Sequence, residues 1–307
     1  MNMQTNRPGK SILLAVLIFS IAACTSVRST FSDPSSTRAN YRREGNDPEA
    51  YRGWSYLVSR LRDDGISAET LKAIYNSPKM PHYENIPFKL NPAESAASYS
   101  QFFQPAKLAK ARQFLKTYRG SFDMAEDKYG VPRSVVAAIL LIETQLGERL
   151  GNELVVNRLS RLASIAEPQN IKWNYENLRK EFKNLDPKRV EARAQYLEDM
   201  FSPEIEALIE FCKRSNLDVF EVKGSRAGAF GLPQFIPTSY RKYAVDGNGD
   251  GIVSLFREED AIHSVGNFLD KNGWSSHDKE DQRSALWAYN KSNAYIDAVL
   301  KVAKGLR

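Results

Sequence analysis

Apolar residues recur at intervals of three and four positions along most of the chain. This spacing places them on one face of a helix, and convincing runs of the alternating pattern of a half-buried strand are missing. Pro105, Pro132 and Pro203 lie at or near predicted helix starts, where a missing backbone N–H costs least. The pattern therefore predicts a mainly α protein. The predicted helices lie near residues 48–63, 67–76, 105–119, 121–129, 132–146, 175–184, 188–200, 202–215, 258–271, 280–288 and 293–305.

The N-terminus carries an apolar run over residues 12–23, preceded by Arg7 and Lys10. The run is about as long as the hydrophobic region of a secretory signal and is too short to span a bilayer alone. Residues 21–24 read Ile-Ala-Ala-Cys, which resembles a bacterial lipobox, where the cysteine is acylated and the preceding residues are removed. The alternatives are an ordinary buried cysteine in a cleaved signal and a short membrane anchor.

Processing at the lipobox would divide the chain into three parts. Residues 1–23 would be a lipoprotein signal peptide, and acyl chains on Cys24 would anchor the mature chain, since stable anchoring takes more than one chain. Thr25 follows the cysteine, and in an enterobacterial-type sorting system the lack of Asp there favours a periplasmic protein anchored to the outer membrane. Residues 24–46 have few large apolar groups and predict a flexible tether. Residues 47–307 are enough for one large domain or two small ones, and we expect one catalytic domain.

The charge of the chain excludes few partners. Removal of the signal peptide takes away Arg7 and Lys10 and no acid, so the formal net charge falls from +6 to +4. A mildly basic chain agrees equally with an anionic partner and with plain solubility. No block of Lys and Arg interleaved with aromatic residues is present, so nucleic acid is not an expected partner. Acylation of Cys24 would leave Cys212 as the only thiol, which excludes an internal disulfide and predicts a core cysteine.

One carboxylate lies in the apolar stripe of a predicted helix. Val136, Ile139, Leu140 and Glu143 are spaced i, i+3, i+4 and i+7. A carboxyl group on this face is partly desolvated, which disfavours its ionised form, as a general acid near neutral pH requires. Gly147 follows one turn later and leaves access to the carboxyl group. On periodicity alone, a glutamate that bends towards solvent is the other interpretation.

Three short elements resemble a known enzyme family. Residues 142–147 resemble the Glu-Thr-x-x-Gly element of lytic transglycosylases, and the glycine-rich residues 224–235 resemble the second element of the membrane-bound lytic murein transglycosylase B family. Residues 289–292, Tyr-Asn-Lys-Ser, followed by Tyr295, form the third match. The elements occur in the family's order, and the resemblance covers most of residues 105–305.

This resemblance implies a lysozyme-like α-helical core over about residues 105–307, with additional helices, a groove for glycan strands and one catalytic glutamate. Glu143 would protonate the oxygen between N-acetylmuramic acid and N-acetylglucosamine, and then take the proton from the muramic C6 hydroxyl group. That hydroxyl group attacks C1 of the same sugar and leaves a 1,6-anhydromuramyl end. Intramolecular attack is favoured because binding already orients the two groups. No cofactor is implied for this chemistry.

The resemblance also implies a set of substrate-binding residues: Ser225, Gln234, Phe235, Tyr289, Asn290 and Tyr295. Ser225 and Asn290 would contact the reacting sugar, whereas Gln234 and Phe235 would line the groove. The two tyrosines would stack on sugar faces. The alternative is that the small polar residues belong to turns and caps and that the aromatic residues belong to the core.

An EF-hand-like loop begins at Asp246. Acidic or amide side chains stand at positions 1, 3 and 5, and Gly251 at position 6 permits the sharp turn. Arg257 stands at position 12 in place of the usual bidentate glutamate. The family's loop is longer, with an acid at position 15. The calcium ligands so implied are Asp246, Asn248, Asp250, the carbonyl group of Ile252, and Asp260. The ion would be structural, and an Asx-rich turn without metal is the alternative.

The chain departs from the family pattern at some positions. Gln145 and Leu146 replace a pair that often includes an aromatic residue, so a stacking contact beside Glu143 is lost. Phe268 stands where the best-known members have a tyrosine, which removes one hydroxyl group from the groove.

Two other functions agree with the residues. A hydrolytic muramidase needs a second carboxylate, which would come from Glu148, Glu153 or Asp246. A non-catalytic lipoprotein that binds peptidoglycan needs no acid. The expected partners are peptidoglycan glycan strands and the membrane, reached through the lipid on Cys24, with cell-wall synthesis proteins as further candidates.

Overall fold

The computed structural model describes residues 50–92 and 95–307. The predicted signal peptide, the tether and the acylated Cys24 lie outside the described residues. Within them, the prediction of a mainly α protein is confirmed, because helices form almost all of the regular structure. No described helix combines the length and the apolar character needed to cross a bilayer.

The helices of the described residues are α1 (Ser55–Asp63), α2 (Ala68–Tyr75), α3 (Pro105–Thr117), α4 (Arg119–Tyr129), α5 (Arg133–Thr144), α6 (Val155–Leu162), α7 (Pro168–Leu178), α8 (Pro187–Arg214), α9 (Pro237–Tyr243), α10 (Glu258–Lys271), α11 (Lys279–Tyr289) and α12 (Asn293–Leu306). Short 3₁₀ helices span Ala50–Gly53 and Ala96–Phe103. Two short strands, β1 (Glu153–Leu154) and β2 (Lys223–Gly224), pair antiparallel.

The prediction of two separate helices over residues 188–200 and 202–215 is wrong, because α8 continues through this region with Pro203 inside it. An internal proline removes one backbone hydrogen bond and usually bends or ends a helix. Here Phe201, Ile205 and Leu208 are buried on both sides of the proline. Burial of such side chains outweighs the lost hydrogen bond, because each contributes roughly 1.5–3 kcal/mol when fully buried.

Other differences concern short or irregular elements. The helix predicted over residues 175–184 begins earlier, with Pro168 in its first turn, and ends at Leu178. The pattern did not predict α6 and α9, which have eight and seven residues and are too short to show a repeated period. The first predicted helix is interrupted because Tyr51 and Arg52 have left-handed backbone angles.

Helix α5 lies at the centre of the domain and packs against α3, α4, α10 and α12. Its sequence, RSVVAAILLIET, is apolar on all sides after the first turn. A helix of this kind is stable only when it is surrounded by other elements. Ten of its twelve residues are buried, and Glu143 is one of the two that are not. The core therefore fixes the position of this glutamate.

Cys212 is a core residue, as expected. It is free and only 4% exposed. Burial raises the pKa of its thiol group to about 12, so it stays protonated near neutral pH.

Candidate active site

Glu143 lies in the last turn of α5 and receives a hydrogen bond from a helix far along the chain. The hydroxyl group of Tyr295, in the first turn of α12, donates to Glu143 Oε1 at 2.7 Å. Tyr295 is only 1% exposed, whereas Glu143 is partly accessible. The structure thus brings together two residues that the resemblance placed in one site.

A cluster of tyrosines surrounds this contact. The rings of Tyr289 and Tyr295 are nearly parallel, with centroids 6.2 Å apart, and Tyr99 meets Tyr295 edge-on at 6.1 Å. Burial, followed by the charge of Glu143, raises the pKa of Tyr289 and of Tyr295 well above the ordinary phenol value. Both phenols therefore remain protonated and act as hydrogen-bond donors. Tyr289 donates to the carbonyl oxygen of Pro233 at 2.6 Å.

Ser292 positions Tyr295. Its hydroxyl oxygen accepts a hydrogen bond from the backbone N–H of Tyr295 at 3.2 Å and caps α12. Serine is a favoured residue at this position of a helix. Sequence reasoning did not assign a role to Ser292, although a serine three residues before an apolar helical stretch is a recognisable cap signal. It also missed Tyr99, whose place beside the site depends on tertiary packing.

The turn after Glu143 is strained and held by side chains. Gln145, Leu146 and Gly147 have φ angles of 54°, 64° and 93°, and the left-handed region is costly for the first two because they carry a Cβ atom. The Thr144 hydroxyl group donates to the Leu232 carbonyl oxygen at 2.9 Å and accepts from the Gly147 N–H at 3.1 Å. These bonds tie the end of α5 to the glycine-rich segment.

Gln145 has a partner on a neighbouring helix. Its side-chain oxygen accepts a hydrogen bond from the ammonium group of Lys107 in α3, and Gln145 itself is 4% exposed. The residue that replaces the expected aromatic group therefore forms a buried polar contact beside the acid.

The glycine-rich segment forms a tight turn at Ser225. Its backbone N–H donates to the Ala229 carbonyl oxygen at 2.8 Å, and its hydroxyl oxygen accepts from the Ala229 N–H at 3.2 Å. A Cβ atom at Gly224 would overlap the Ala229 carbonyl group, so the turn requires glycine there. The Ser225 hydroxyl group shapes the turn and can still donate one hydrogen bond, because it is both donor and acceptor.

Gln234 and Phe235 are both used inside the fold. Gln234 has a φ angle of 51°, and its side-chain amide donates to the carbonyl oxygens of Leu150 at 3.2 Å and Gly231 at 3.0 Å. Phe235 is 2% exposed, and its ring centroid lies 5.9 Å from that of Tyr289. Phe235 therefore packs against the tyrosine cluster, whereas Gln234 fixes the backbone of the glycine-rich segment.

Asn290 follows α11, and its side-chain oxygen is one of several buried polar atoms in the described residues that lack a hydrogen-bond partner. The atom Oδ1 is buried without a hydrogen-bond partner. Buried polar atoms nearly always have a partner. An unpaired acceptor next to Tyr289 is therefore suited to a donor from a ligand.

The three residues considered as a second carboxylate lie in other contacts. Glu148 forms an ion pair with Lys110, and 57% of its side chain is exposed. The hydrogen bond and charge of Lys110 lower the pKa of Glu148. Glu153 forms an ion pair with Arg226, with 3.6 Å between Glu153 Oε1 and Arg226 Nε. Asp246 belongs to the EF-hand-like loop, where it accepts backbone hydrogen bonds.

The EF-hand-like loop is organised by side-chain oxygens that accept hydrogen bonds from backbone N–H groups further along the loop. Asp246 accepts from Gly249 at 2.6 Å and from Gly251 at 2.8 Å. Asn248 accepts from the N–H of Asp250 at 3.0 Å. The side-chain oxygens of positions 1 and 3 are thus held by the loop's own backbone.

Two further acids complete the loop. Asp250 accepts from the Ile252 N–H at 2.8 Å through Oδ1 and pairs with Arg257 through Oδ2. Asp260 is fully buried and accepts from the N–H groups of Gly247 at 2.8 Å and Ser254 at 2.6 Å. Asp260 therefore joins the start of α10 to both ends of the loop.

The donor set of the loop is chemically suited to calcium, which takes carboxylate, amide and carbonyl oxygens. As they are arranged in residues 50–92 and 95–307, no three or more His, Cys, Asp and Glu side chains converge in a group that could hold a metal ion. A calcium site here would therefore depend on the Asn248 amide and the Ile252 carbonyl group as well as on carboxylates. Arg257 is the one group in the loop whose charge opposes a cation.

Comparisons with known proteins agree with the geometry. A family model described as the transglycosylase SLT domain matches residues 50–283. The membrane-bound lytic murein transglycosylase B of Escherichia coli (strain K12) is 31% identical over 179 residues, which are 58% of this chain and 42% of that protein. The chain therefore matches less than half the length of this curated relative.

Solved structures share the fold. A lytic transglycosylase from Escherichia coli in complex with bulgecin A has a TM-score of 0.64 and 20% identity, over 88% of this chain and 97% of that one. The same E. coli enzyme in complex with calcium has a TM-score of 0.56 and 19% identity, over 89% of this chain and 91% of that one. A Pseudomonas aeruginosa protein in complex with NAG-anhNAM-pentapeptide has a TM-score of 0.62 and 18% identity, over 85% of this chain and 80% of that one. The predicted lysozyme-like α-helical core is confirmed.

Proposed function

Because the chain belongs to the transglycosylase SLT domain family, we propose that it is a lytic transglycosylase of peptidoglycan. It cleaves the β-1,4 bond between N-acetylmuramic acid and N-acetylglucosamine and leaves 1,6-anhydromuramyl ends. The observation that carries this proposal is the 2.7 Å hydrogen bond from Tyr295 to Glu143 at the end of the buried helix α5. It gives the single acid a fixed orientation and a donor that stabilises its ionised form.

In the first step, Glu143 donates its proton to the glycosidic oxygen. The carboxylate that remains is stabilised by the phenol of Tyr295, since hydrogen bonds to charged groups are stronger than those between neutral groups. The raised pKa of Tyr295 keeps its own proton in place. Proton transfer therefore runs between Glu143 and the substrate.

In the second step, the Glu143 carboxylate takes the proton from the C6 hydroxyl group of the muramic sugar. That oxygen attacks C1 of the same sugar and closes the anhydro ring without consuming water. The positions of Glu148, Glu153 and Asp246 in other contacts support this route over hydrolysis. Ordinary glycosidases need a second carboxyl group close to the first one, whereas an internal nucleophile does not.

Asn290 is proposed to receive the acetamido N–H of the reacting sugar at its unpaired Oδ1 atom. Ser225 would donate its hydroxyl hydrogen to the same sugar. Tyr289 would form the floor below it, and the buried rings of Tyr295 and Phe235 would pack behind Tyr289. Glycan strands of peptidoglycan are the substrate in this proposal, in keeping with the NAG-anhNAM-pentapeptide bound by the P. aeruginosa protein of similar fold.

Product analysis tests the proposed reaction. Purified peptidoglycan is digested with the protein, and the released muropeptides are measured by mass spectrometry. We expect anhydromuramyl ends, each lighter by one water than the corresponding reducing end. Only reducing ends would establish a hydrolytic muramidase, and no release by a protein that binds peptidoglycan would establish a non-catalytic binding protein.

We also propose a structural calcium ion in the EF-hand-like loop. Its ligands would be Asp246, Asn248, Asp250, the carbonyl group of Ile252, and Asp260. When bound, calcium would neutralise the loop's carboxylates and hold the loop to α10. The loop's oxygen atoms support the proposal, as does the calcium complex of the E. coli enzyme of similar fold. The ion takes no part in the proton transfers at Glu143.

The proposed location is the periplasm, with a lipid on Cys24 that anchors the protein to the outer membrane. The lipobox-like residues 21–24 and the membrane-bound E. coli relative support it. Labelled fatty acid should be incorporated into the native chain and lost in Cys24→Ala. Incorporation that is unchanged in the variant would contradict the anchor. Cell-wall synthesis proteins are proposed as partners on the resemblance alone.

A further inference from the structure

We propose that Arg257 is a built-in cation of the EF-hand-like loop, which occupies Asp250 in place of calcium and has to be displaced before calcium binds tightly. The inference rests on the calcium site proposed above and adds to it a competing group that belongs to this chain. Position 12 of the loop, where a ligand is usual, carries the opposing charge here.

The contacts of Asp250 show how the competition works. Its Oδ1 atom accepts from the Ile252 N–H at 2.8 Å and so belongs to the loop's own hydrogen-bond pattern. Its Oδ2 atom pairs with the guanidinium group of Arg257. Asp250 can therefore serve fully as a ligand only when the guanidinium group moves away from Oδ2.

The charge of the loop explains why a cation belongs there. Five acids lie within residues 246–260, and Arg257 is the single basic residue among them. The acids are Asp246, Asp250, Glu258, Glu259 and Asp260. Like charges at this spacing repel one another. The guanidinium group relieves part of that repulsion without an external ion.

The hydrogen bonds that Asp260 accepts from the backbone help the loop to keep its shape without calcium while Arg257 is paired with Asp250. Asp260 is fully buried, and the N–H groups of Gly247 and Ser254 satisfy its two oxygens. Since Arg257 precedes α10 and Asp260 lies in its first turn, the ion pair and the buried carboxylate close the loop from the same side. The loop therefore keeps its shape at low calcium concentration.

The exposure of the ion pair allows calcium to displace it. The side chains of Arg257 and Asp250 are 45% and 36% exposed. Ion pairs this close to solvent stabilise a protein little. A displaced guanidinium group remains tethered near the ion and repels it, so the native loop binds calcium more weakly than a neutral variant.

Calorimetric titration of calcium into the purified full chain tests the proposal. We expect Arg257→Gln to bind calcium at least about ten-fold more tightly than the native chain, which corresponds to about 1.4 kcal/mol. Arg257→Lys keeps the charge and should stay within about three-fold of the native affinity, since the competing charge remains. Arg241→Gln is the matched control, because Arg241 pairs with Glu210 outside the loop. Its calcium affinity should equal the native one.

Thermal unfolding supplies a second readout. In EGTA, the midpoint temperature of unfolding of Arg257→Gln should fall below that of the native chain. Saturating calcium should raise the midpoint of the variant again. Saturating calcium should also raise the unfolding midpoint of the native chain, but by less than it raises that of Arg257→Gln, because the native loop binds calcium more weakly. A native guanidinium resonance that moves on calcium addition, observed by NMR, checks the displacement without any variant.

Two results would overturn the proposal. One is equal calcium affinity of Arg257→Gln and the native chain, which leaves the calcium site intact but removes the competition. The other is no calcium binding by either protein, which removes both. Neither result affects the proposed glycan cleavage, because the muropeptide assay measures that reaction independently of the titration.

Discussion

The acid at the end of α5 and the EF-hand-like loop are built in opposite ways. Glu143 is held by residues far along the chain, such as Tyr295, through a hydrogen bond that crosses 152 positions of sequence. The first half of the loop is held by its own backbone, with Asp246 and Asn248 bonded to N–H groups two to five residues away. The placement of the acid therefore depends on the whole core, whereas the start of the loop forms its contacts locally.

The largest expected effect concerns the acid. Glu143→Gln keeps the shape of the side chain but removes the transferable proton, and general acids contribute about 10²–10⁴-fold to rate. We expect anhydromuropeptide release, measured by mass spectrometry, to fall by that factor while binding to peptidoglycan is retained. Glu148→Gln, which changes an exposed carboxylate in the same region, should remain active. Comparable losses in both variants would contradict the role of Glu143.

The next effect separates the acid from its support. Tyr295→Phe keeps the buried ring but removes the bond to Glu143. A hydrogen bond to a charged group contributes about 1.5–3 kcal/mol, so turnover should fall roughly ten- to 100-fold, with a smaller change in KM. Tyr240→Phe is the matched control, since its hydroxyl group bonds the Val253 carbonyl oxygen instead. It should lose stability without an equal loss of turnover.

A change in the loop should have the opposite signature. Asp260→Asn keeps the volume but leaves one of the two backbone N–H groups without its acceptor. We expect a loss of about 1–3 kcal/mol in the free energy of unfolding, measured by urea denaturation. Turnover per folded molecule should stay within about two-fold. If turnover collapses while stability is unchanged, the loop is not separate from the placement of the acid.

The smallest effect is a dependence on alkaline pH. The raised pKa values of Tyr289 and Tyr295 belong to the folded state only. Their contribution to stability is therefore complete below the unfolded phenol pKa of about 10 and is lost as the pH rises towards their folded values. Tyr289→Phe and Tyr295→Phe should each flatten the decline in unfolding free energy above pH 10. Unchanged slopes would show that these phenols ionise in the folded protein.

The sequence predicts the acid better than its surroundings. The i, i+3, i+4, i+7 spacing that ends at Glu143 places it on the stripe of a helix, and the structure has that helix at the centre of the core. Phe235 is different, because its motif does not tell whether the ring faces a groove or the core, and the ring is 2% exposed. The answer depends on the approach of α10 and α11, which no local pattern contains.

The loop shows the reverse relation between pattern and structure. Its oxygens at alternate positions and its glycines lead directly to the observed backbone bonds, because all of these partners lie within a few residues. The pairing of Arg257 with Asp250 could not be read from the pattern. A side chain at position 12 can point outwards or inwards, and only the path of the chain into α10 decides between them.

The two adjacent carbonyl groups of Leu232 and Pro233 have a consequence for how the sequence of this protein can change. The Leu232 carbonyl oxygen accepts a hydrogen bond from the hydroxyl group of Thr144, next to the acid. The Pro233 carbonyl oxygen accepts one from the hydroxyl group of Tyr289. Two consecutive peptide units thus link the two sides of the candidate active site. Substitutions outside this pair of contacts therefore leave the spacing between Thr144 and Tyr289 unchanged.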